Sequence, residues 1–189
     1  MSYATLAELK SALRITDTVD DVLLQLALDT ADDQINGHCD RTFLDSGATT
    51  PRSFRYYDKY APIDDFSTTT GLVVSVAGST LLAADFQVLP RNAPAYGRPF
   101  YSILFDVPPI NFTFTEEPIT VTARWGWATV PVAVREASLL QASRTFSRRL
   151  SPYGIAGSPE TGSELRLLAR LDPDVQLALA PYVKVWGVR

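Results

Sequence analysis

The sequence predicts an α+β protein: a small helical bundle of about four helices with an inserted antiparallel β module. Apolar residues recur at helical spacing near the N-terminus and again after Thr129, whereas the middle of the chain holds short β-branched and aromatic runs separated by Gly, Pro, Asn and Ser. We therefore expect N-terminal helices of the bundle in residues 1–51, a β-rich insertion in residues 52–128, and a long helix, a loop, a short C-terminal helix and a tail in residues 129–189.

Two helices are expected before the insertion. Thr5 and Glu8 form the pattern of a capping box, which predicts the start of a short first helix. Asp17 or Thr18 can cap a second, longer helix that runs until Gly37. This second helix has a narrow polar arc and an apolar surface wider than one neighbour normally covers. It therefore either contacts two neighbours, one of them in another subunit, or is fully buried within its own chain.

Five runs are expected to form the strands of the insertion: residues 52–58, 71–76, 85–89, 101–105 and 119–125. The last run alternates apolar and polar residues and leads directly into the long helix, so it connects the β module to the bundle. The loop of residues 90–99 holds three prolines, two arginines and a tyrosine. It is either a contact loop or, more simply, a solvated connector.

The long helix is expected to begin at Pro131, because proline suits the first helical turn. At 100° per residue, its apolar side chains fall on one arc that we expect to be buried: Val132, Leu139, Phe146 and Leu150. The opposite side is expected to be polar, with Ser138, Gln141, Thr145 and Arg148.

After the long helix ends, the rest of the chain is expected to form a loop, a short helix and a tail. Ser151-Pro152, followed by Gly154 and Gly157, should end the long helix. Asp172-Pro173 then reads as a cap and a first-turn proline of a short helix that ends before Pro181. The remaining segment KVWGVR is apolar and has little surface of its own to pack on, so it either folds back or inserts into another protein.

Composition and charge limit the possible functions. Hydrophobic residues make up 46% and charged residues 20% of the 189 residues, which is typical of a globular protein. Neither a signal peptide nor a membrane-spanning stretch is expected, so we expect synthesis in the cytoplasm and no membrane partner. The first 66 residues hold twelve acidic and six basic residues, and the rest hold nine and eleven. This distribution argues against a general nucleic-acid binder, which needs a basic surface.

Signs of catalysis or metal binding are weak. Cys39 and His38 are the only cysteine and histidine, so an intrachain disulfide and a Cys/His zinc site are excluded. Adjacent aspartates such as Asp32-Asp33 diverge by about 100° on a helix and do not converge on a ligand. We therefore expect no enzyme, no metal and no cofactor. The alternative is a carbohydrate-binding module or small enzyme built on the β insertion, with Tyr96, Trp125 and Trp127 as the ligand surface.

Several short sequence motifs, taken in their order along the chain, resemble those of the head-to-tail connector proteins of long-tailed bacteriophages, also called head-completion or adaptor proteins. The N-terminal part of this pattern is TLAELK at residues 5–10, Asp20-Asp21, a long helix, and CDRTF at residues 39–43. The later part is Gly126-Trp127, then Pro131 leading into the long helix, and RRLSPYG at residues 148–154. The resemblance covers most of the chain.

The resemblance implies a structural virion protein located in the neck, at the junction of head and tail. Its subunits would form a dodecameric ring beneath the portal protein at the capsid vertex, and double-stranded DNA would pass through the centre without sequence-specific binding. The opposite face would receive the next neck or tail protein, a stopper or a tail terminator. The alternative within this class is that the chain is itself another neck component, such as a stopper or tail-completion protein.

Two sets of site residues follow from this implied role. The C-terminal segment would grip the portal, through Pro181, Tyr182, Val183, Lys184, Val185, Trp186, Gly187, Val188 and Arg189. The aspartates of the second helix would line the channel and let DNA slide without adhering: Asp21, Asp29, Asp32 and Asp33.

Overall fold

The chain forms two compact units in a computed structural model. The structure describes residues 2–108, 118–148, 155–156, 165–166 and 171–184, and for residues 155–156 and 165–166 it describes the backbone pairing alone. The first unit comprises Met1–Asp40 and Val130–Lys184, and the second comprises Arg41–Thr129. Four α-helices and a six-stranded sheet lie within the described residues, so the predicted α+β class is confirmed.

The first unit is helical. Its four helices are α1 (Leu6–Leu13), α2 (Asp21–Cys39), α3 (Val132–Arg148) and α4 (Pro173–Leu179). The predicted capping box at Thr5 and Glu8 is present, and the side chain of Asp172 caps α4 with Pro173 in the first turn, as predicted. A 3-10 helix, Ala180–Tyr182, follows α4.

Helix α2 ends later than predicted. It continues through Gly37 to Cys39 and ends where Asp40 adopts a left-handed conformation, with φ of 50°. Glycine inside a helix is tolerated when the flanking turns are held by packing, and Ile35 and Cys39 are both fully buried. The predicted stop of the long helix, Ser151-Pro152 with the glycines after it, lies outside the described residues.

Helices α2 and α3 pack through apolar and small side chains. Leu24, Leu28 and Ala31 of α2 form one buried cluster with Leu9 of α1 and Ala142 of α3. Within this contact the Ser138 hydroxyl donates a hydrogen bond of 2.6 Å to the Asp32 carboxylate. The Gln141 side-chain amide likewise donates to Gln34 over 2.7 Å.

The predicted orientation of α3 is therefore only partly correct. Ser138 and Gln141, expected on the exposed side, are buried, whereas Val132, expected in the core, is 71% exposed. Small side chains at Ala137, Ser138 and Ala142 allow close approach of the neighbouring helix, and the hydrogen bonds of Ser138 and Gln141 offset the cost of burying polar groups. Of the predicted buried arc, Leu139 and Phe146 are half-buried, and Leu150 lies outside the described residues.

The second unit is built on one antiparallel sheet with strand order β1-β6-β2-β5-β4, and β3 pairs with β2. The strands are β1 (Thr49–Phe54), β2 (Tyr60–Val76), β3 (Ser79–Thr80), β4 (Phe86–Leu89), β5 (Phe100–Phe105) and β6 (Ile119–Trp125). The alternation predicted for the last of these is confirmed, because Ile119, Val121, Ala123 and Trp125 are all buried. A separate pair, β7 (Ile155–Ala156) with β8 (Leu165–Arg166), is also antiparallel.

Strand β2 is far longer than predicted. It starts at Tyr60 rather than Gly71 and serves two partners: residues 60–66 pair mainly with β5, and residues 73–76 pair with β6. Register shifts separate these stretches, and Gly71 lies between them with φ of 75°. The sequence 60–70 is rich in polar residues and does not alternate, so its strand character comes from its partners rather than from its own pattern.

Just after β6, the backbone at Gly126 passes close to the backbone of Leu44. Gly126 adopts φ of 93°, and its N–H donates a hydrogen bond of 2.7 Å to the Asp65 carbonyl. A Cβ atom at this position would lie 1.8 Å from the carbonyl oxygen of Leu44, which is backbone and cannot rotate away. Glycine is thus required here for both conformation and space.

We predict that Gly126→Ala destabilises the protein by about 3 kcal/mol, from backbone strain and overpacking together. The matched control is Gly97→Ala, which has a similar left-handed conformation but no atom within 4 Å of the added Cβ. The control should therefore lose only about 1 kcal/mol. Urea unfolding of both variants measures the difference, and equal losses would contradict the steric role of Gly126.

Candidate assembly surfaces

Helix α2 exposes an apolar surface that the other described residues do not cover. Val22 is 82% and Leu26 61% exposed, and Leu23 and the preceding Val19 are exposed as well. We call Val19, Val22, Leu23 and Leu26 the α2 strip. Val22, Leu23 and Leu26 lie on the side of α2 opposite the buried Leu24, Leu28 and Ala31, and Val19 lies just before the helix. The described residues therefore do not bury α2 fully, in contrast to one of the two alternatives from the sequence.

The aspartates of α2 do not share one environment. Asp21 forms a 2.5 Å ion pair with Lys10 of α1, and Asp29 accepts hydrogen bonds from Ser2 and Gln25. Asp33 is exposed, whereas Asp32 is only 7% exposed. The prediction that Asp32 faces a channel is therefore corrected: on the helical wheel it falls at the edge of the polar arc, and packing of α3 covers it.

Asp32 is a buried carboxylate with two donors. The backbone N–H of Tyr3 donates to one oxygen over 2.8 Å, and Ser138 donates to the other. Desolvation by burial raises the pKa of Asp32 above its ordinary value of 3.8, and the two hydrogen bonds offset this only in part. The negative charge of Asp29 raises the pKa further, and the N-terminal amine lowers it.

Helix α3 presents a second exposed face. Val132 and Leu140 are exposed apolar residues on the side that points away from α2, with Glu136 between them. Arg135 and Arg144 flank these residues; Arg135 pairs with Glu8 and Arg144 with Asp172, and about half of each arginine side chain stays exposed. We call Val132, Leu140 and the two arginines the α3 face. The small residues Ala137, Ser138 and Ala142 mark the packed side of α3. This pattern in the sequence could have located the exposed face on the opposite side.

The start of the predicted portal-binding segment folds back onto the helical unit. The N–H of Lys184 donates a hydrogen bond of 2.8 Å to the carbonyl of Cys39, at the end of α2. Tyr182 and Val183 are half-buried, and Pro181 is exposed. The rest of the segment, Val185, Trp186, Gly187, Val188 and Arg189, lies outside the described residues.

The aromatic ligand surface of the alternative carbohydrate-binding module does not form. Trp125 and Trp127 are buried, and their indole N–H groups donate to the Thr50 carbonyl over 2.8 Å and to Asp65 over 2.9 Å. Tyr96, in a 3-10 helix at Ala93–Tyr96 within the proline-rich loop, is 76% exposed. The tryptophans are thus packing residues and not a ligand surface.

Other candidates for chemistry are also used structurally. Both oxygens of Asp65 accept from Arg41 over 2.8 Å, and the pair is nearly buried, whereas Asp64 pairs with Arg52 at the surface. Cys39 is fully buried. Among the residues that the structure describes, no group of three or more His, Cys, Asp or Glu side chains is placed to hold a metal ion. Within the same residues, no helix is long and apolar enough to cross a bilayer.

We predict that Asp32→Asn is at least as stable as the wild type at neutral pH. Burial raises the pKa of Asp32 in the folded state above its value in the unfolded state. The contribution of Asp32 to the free energy of unfolding is therefore largest below the unfolded-state pKa, and it is lost as the pH rises through the folded-state pKa. The asparagine can still accept from Tyr3 and donate to Ser138, and it does not ionise.

The measurement for Asp32 is denaturant unfolding at several pH values from 3.8 upward. The free energy of unfolding of the wild type, relative to Asp32→Asn, should fall as the pH rises. Asp32→Ala leaves the Tyr3 N–H and the Ser138 hydroxyl without this acceptor and should lose about 1–3 kcal/mol. A wild type that gains stability over the asparagine variant with rising pH would contradict the assignment.

Comparisons with known proteins bear on these surfaces. Residues 3–70 match the family model described as phage gp6-like head-tail connector protein; this segment includes α1, α2 and most of β2. A comparison with curated protein sequences finds no match.

Solved structures with a similar fold come from gene transfer agent particles. A chain of the neck of an empty particle, computed with C6 symmetry, is 16% identical, with a TM-score of 0.61; the alignment covers 98% of this chain and 92% of that one. A chain of the native neck with C12 symmetry gives 15% identity, a TM-score of 0.58 and coverages of 97% and 90%. A chain of the native virion gives 19% identity, a TM-score of 0.54 and coverages of 90% and 94%. The predicted resemblance is confirmed over residues 3–70, which match the family model of gp6-like head-tail connector proteins, and the chain has a fold similar to these neck and virion chains.

Proposed function

We propose that the chain is a structural virion protein that forms a homo-oligomeric ring at the portal vertex and joins the DNA-filled head to the next neck or tail protein. The observation that carries this proposal is the connector-family match over residues 3–70, because this segment contains the helix with the uncovered α2 strip. An apolar surface of this kind on a soluble chain marks a site of protein contact.

The symmetry of the similar structures supports the ring. They come from neck assemblies computed with C6 and C12 symmetry, and a twelve-fold arrangement is compatible with both. The proposed role is mechanical, because the described candidates for catalysis or metal binding, such as Asp65 and Cys39, are buried in structural contacts. The partners are the portal protein on one side and a stopper or tail terminator on the other.

We further propose that Asp29 and Asp33 face the DNA channel. Both are exposed on α2, whereas Asp21 is neutralised by Lys10 and Asp32 is buried. Residues 15–37 contain six aspartates and no lysine or arginine, so the C-terminal half of α2 would repel phosphates rather than bind them. A channel wall of this kind lets DNA pass without adhering.

The C-terminal segment provides the test of portal binding. We predict that a chain truncated after Lys184 folds normally, because it keeps the hydrogen bond from Lys184 to Cys39, but no longer joins portal-containing heads. Co-sedimentation with heads of the same particle measures attachment, and far-ultraviolet circular dichroism checks the fold. Leu82→Ala, at an exposed site of the second unit outside this segment, is the control and should attach normally.

Normal attachment of the truncated chain would exclude the segment as the anchor. Binding of the full chain to purified tails but not to heads would favour the stopper or tail-completion alternative. Failure of the full chain to bind either partner would overturn the proposed function itself.

The channel assignment predicts that Asp33→Lys gives rings that bind duplex DNA at low salt, with affinity falling steeply as salt rises, because each lysine displaces counterions. Fluorescence anisotropy with a labelled duplex measures the binding. The control is Asp106→Lys, the same charge change at an exposed site of the second unit. Equal DNA binding by both variants would contradict the proposal that Asp33 faces the DNA channel.

A further inference from the structure

The α2 strip is acidic around its apolar centre. Asp17, Asp29 and Asp33 are exposed near Val22 and Leu26 on the same helix or just before it. No basic residue occurs between positions 15 and 37 to offset them. A surface that covers this strip should therefore be apolar and should also carry positive charge.

The α3 face has this complementary character. Val132 and Leu140 supply exposed apolar area, and α3 carries three arginines against one glutamate. Arg135 and Arg144 have intrachain acidic partners, yet 52% and 43% of their side-chain surface remains exposed. Part of their positive charge therefore faces outward and is attracted by the negative field of the α2 strip, without direct contact to Asp29 or Asp33.

The two surfaces cannot meet within one chain. Helices α2 and α3 pack through Leu28, Asp32, Ser138 and Ala142, and the α2 strip and the α3 face lie on the sides of their helices opposite this contact. They therefore point away from each other on two sides of the helix pair. A contact between two different patches of identical chains is heterologous, and such contacts close into rings when the rotation between subunits allows.

We propose that the α2 strip of one copy packs against the α3 face of the next copy, so that one heterologous contact repeats around the ring. This inference rests on the proposed function and names the surfaces that build its ring. The apolar N-terminal half of α2 then lies between subunits, and the more polar half with Asp29 and Asp33 stays free for the channel.

The test uses two variants of the full chain, each with one surface disabled. Leu26→Arg places a positive charge in the α2 strip, and Leu140→Arg places one in the α3 face; both side chains are exposed, so both variants should fold. Sedimentation velocity over a wide concentration range should show self-association of the wild type. Each variant alone should have a dissociation constant raised by about thirtyfold or more.

A mixture of the two variants gives the decisive result. One intact strip and one intact face remain, on different chains, so an equimolar mixture should form a dimer of one copy of each and nothing larger. Leu177→Arg, at an exposed apolar site on α4, is the matched control and should assemble like the wild type.

Three results would overturn the inference: a wild type that stays monomeric at the highest soluble concentration, a Leu140→Arg variant that dimerises alone through strip-to-strip contact, or rings of Leu26→Arg that match the wild type. Rings that form through the proposed contact but fail to join heads would instead overturn the proposed function and leave this contact standing.

Discussion

The packing of α2 against α3 is the constraint on which the other features of the helical unit depend. Its centre combines small apolar contacts with the buried hydrogen bond between Ser138 and Asp32. A buried carboxylate is tolerated only when donors surround it, and Tyr3 supplies the second donor from the N-terminal segment. This hydrogen bond links one defined position on each helix, and together with the apolar contacts it sets the rotation of both helices about their own axes.

Once this rotation is fixed, the outer surfaces follow. Val22 and Leu26 must lie outside because Leu24 and Leu28 lie inside, and Val132 and Leu140 must lie outside because Ser138 and Ala142 lie inside. A few polar residues thus lie within a mainly apolar helix contact, while several apolar residues remain at the surface. A lone soluble domain gains little from this arrangement, whereas a subunit that packs between two neighbours needs it.

The second unit depends on a different constraint, the close approach of backbone at Gly126. The glycine allows the chain to leave β6 against Leu44 and positions Trp127 to donate to Asp65, which also holds Arg41. The aromatic residues that resembled a ligand surface are used in this closure. The two tryptophans and the buried ion pair therefore stabilise the sheet. Of the three aromatic residues, only Tyr96 is exposed.

The sequence by itself determined the features that depend on neighbours along the chain. The capping box at Thr5 and Glu8, the cap at Asp172, the start of α3 and the alternation of β6 are local, because short-range hydrogen bonds and side-chain periodicity decide them. The excess apolar surface of α2 was also predicted, since it follows from a count around one helix. Only the tertiary structure decided which side of α3 is buried, that β2 begins at Tyr60, and that Asp32 lies inside. Each of these depends on a partner distant in sequence, and the free energy of that packing outweighs the preference of the local pattern.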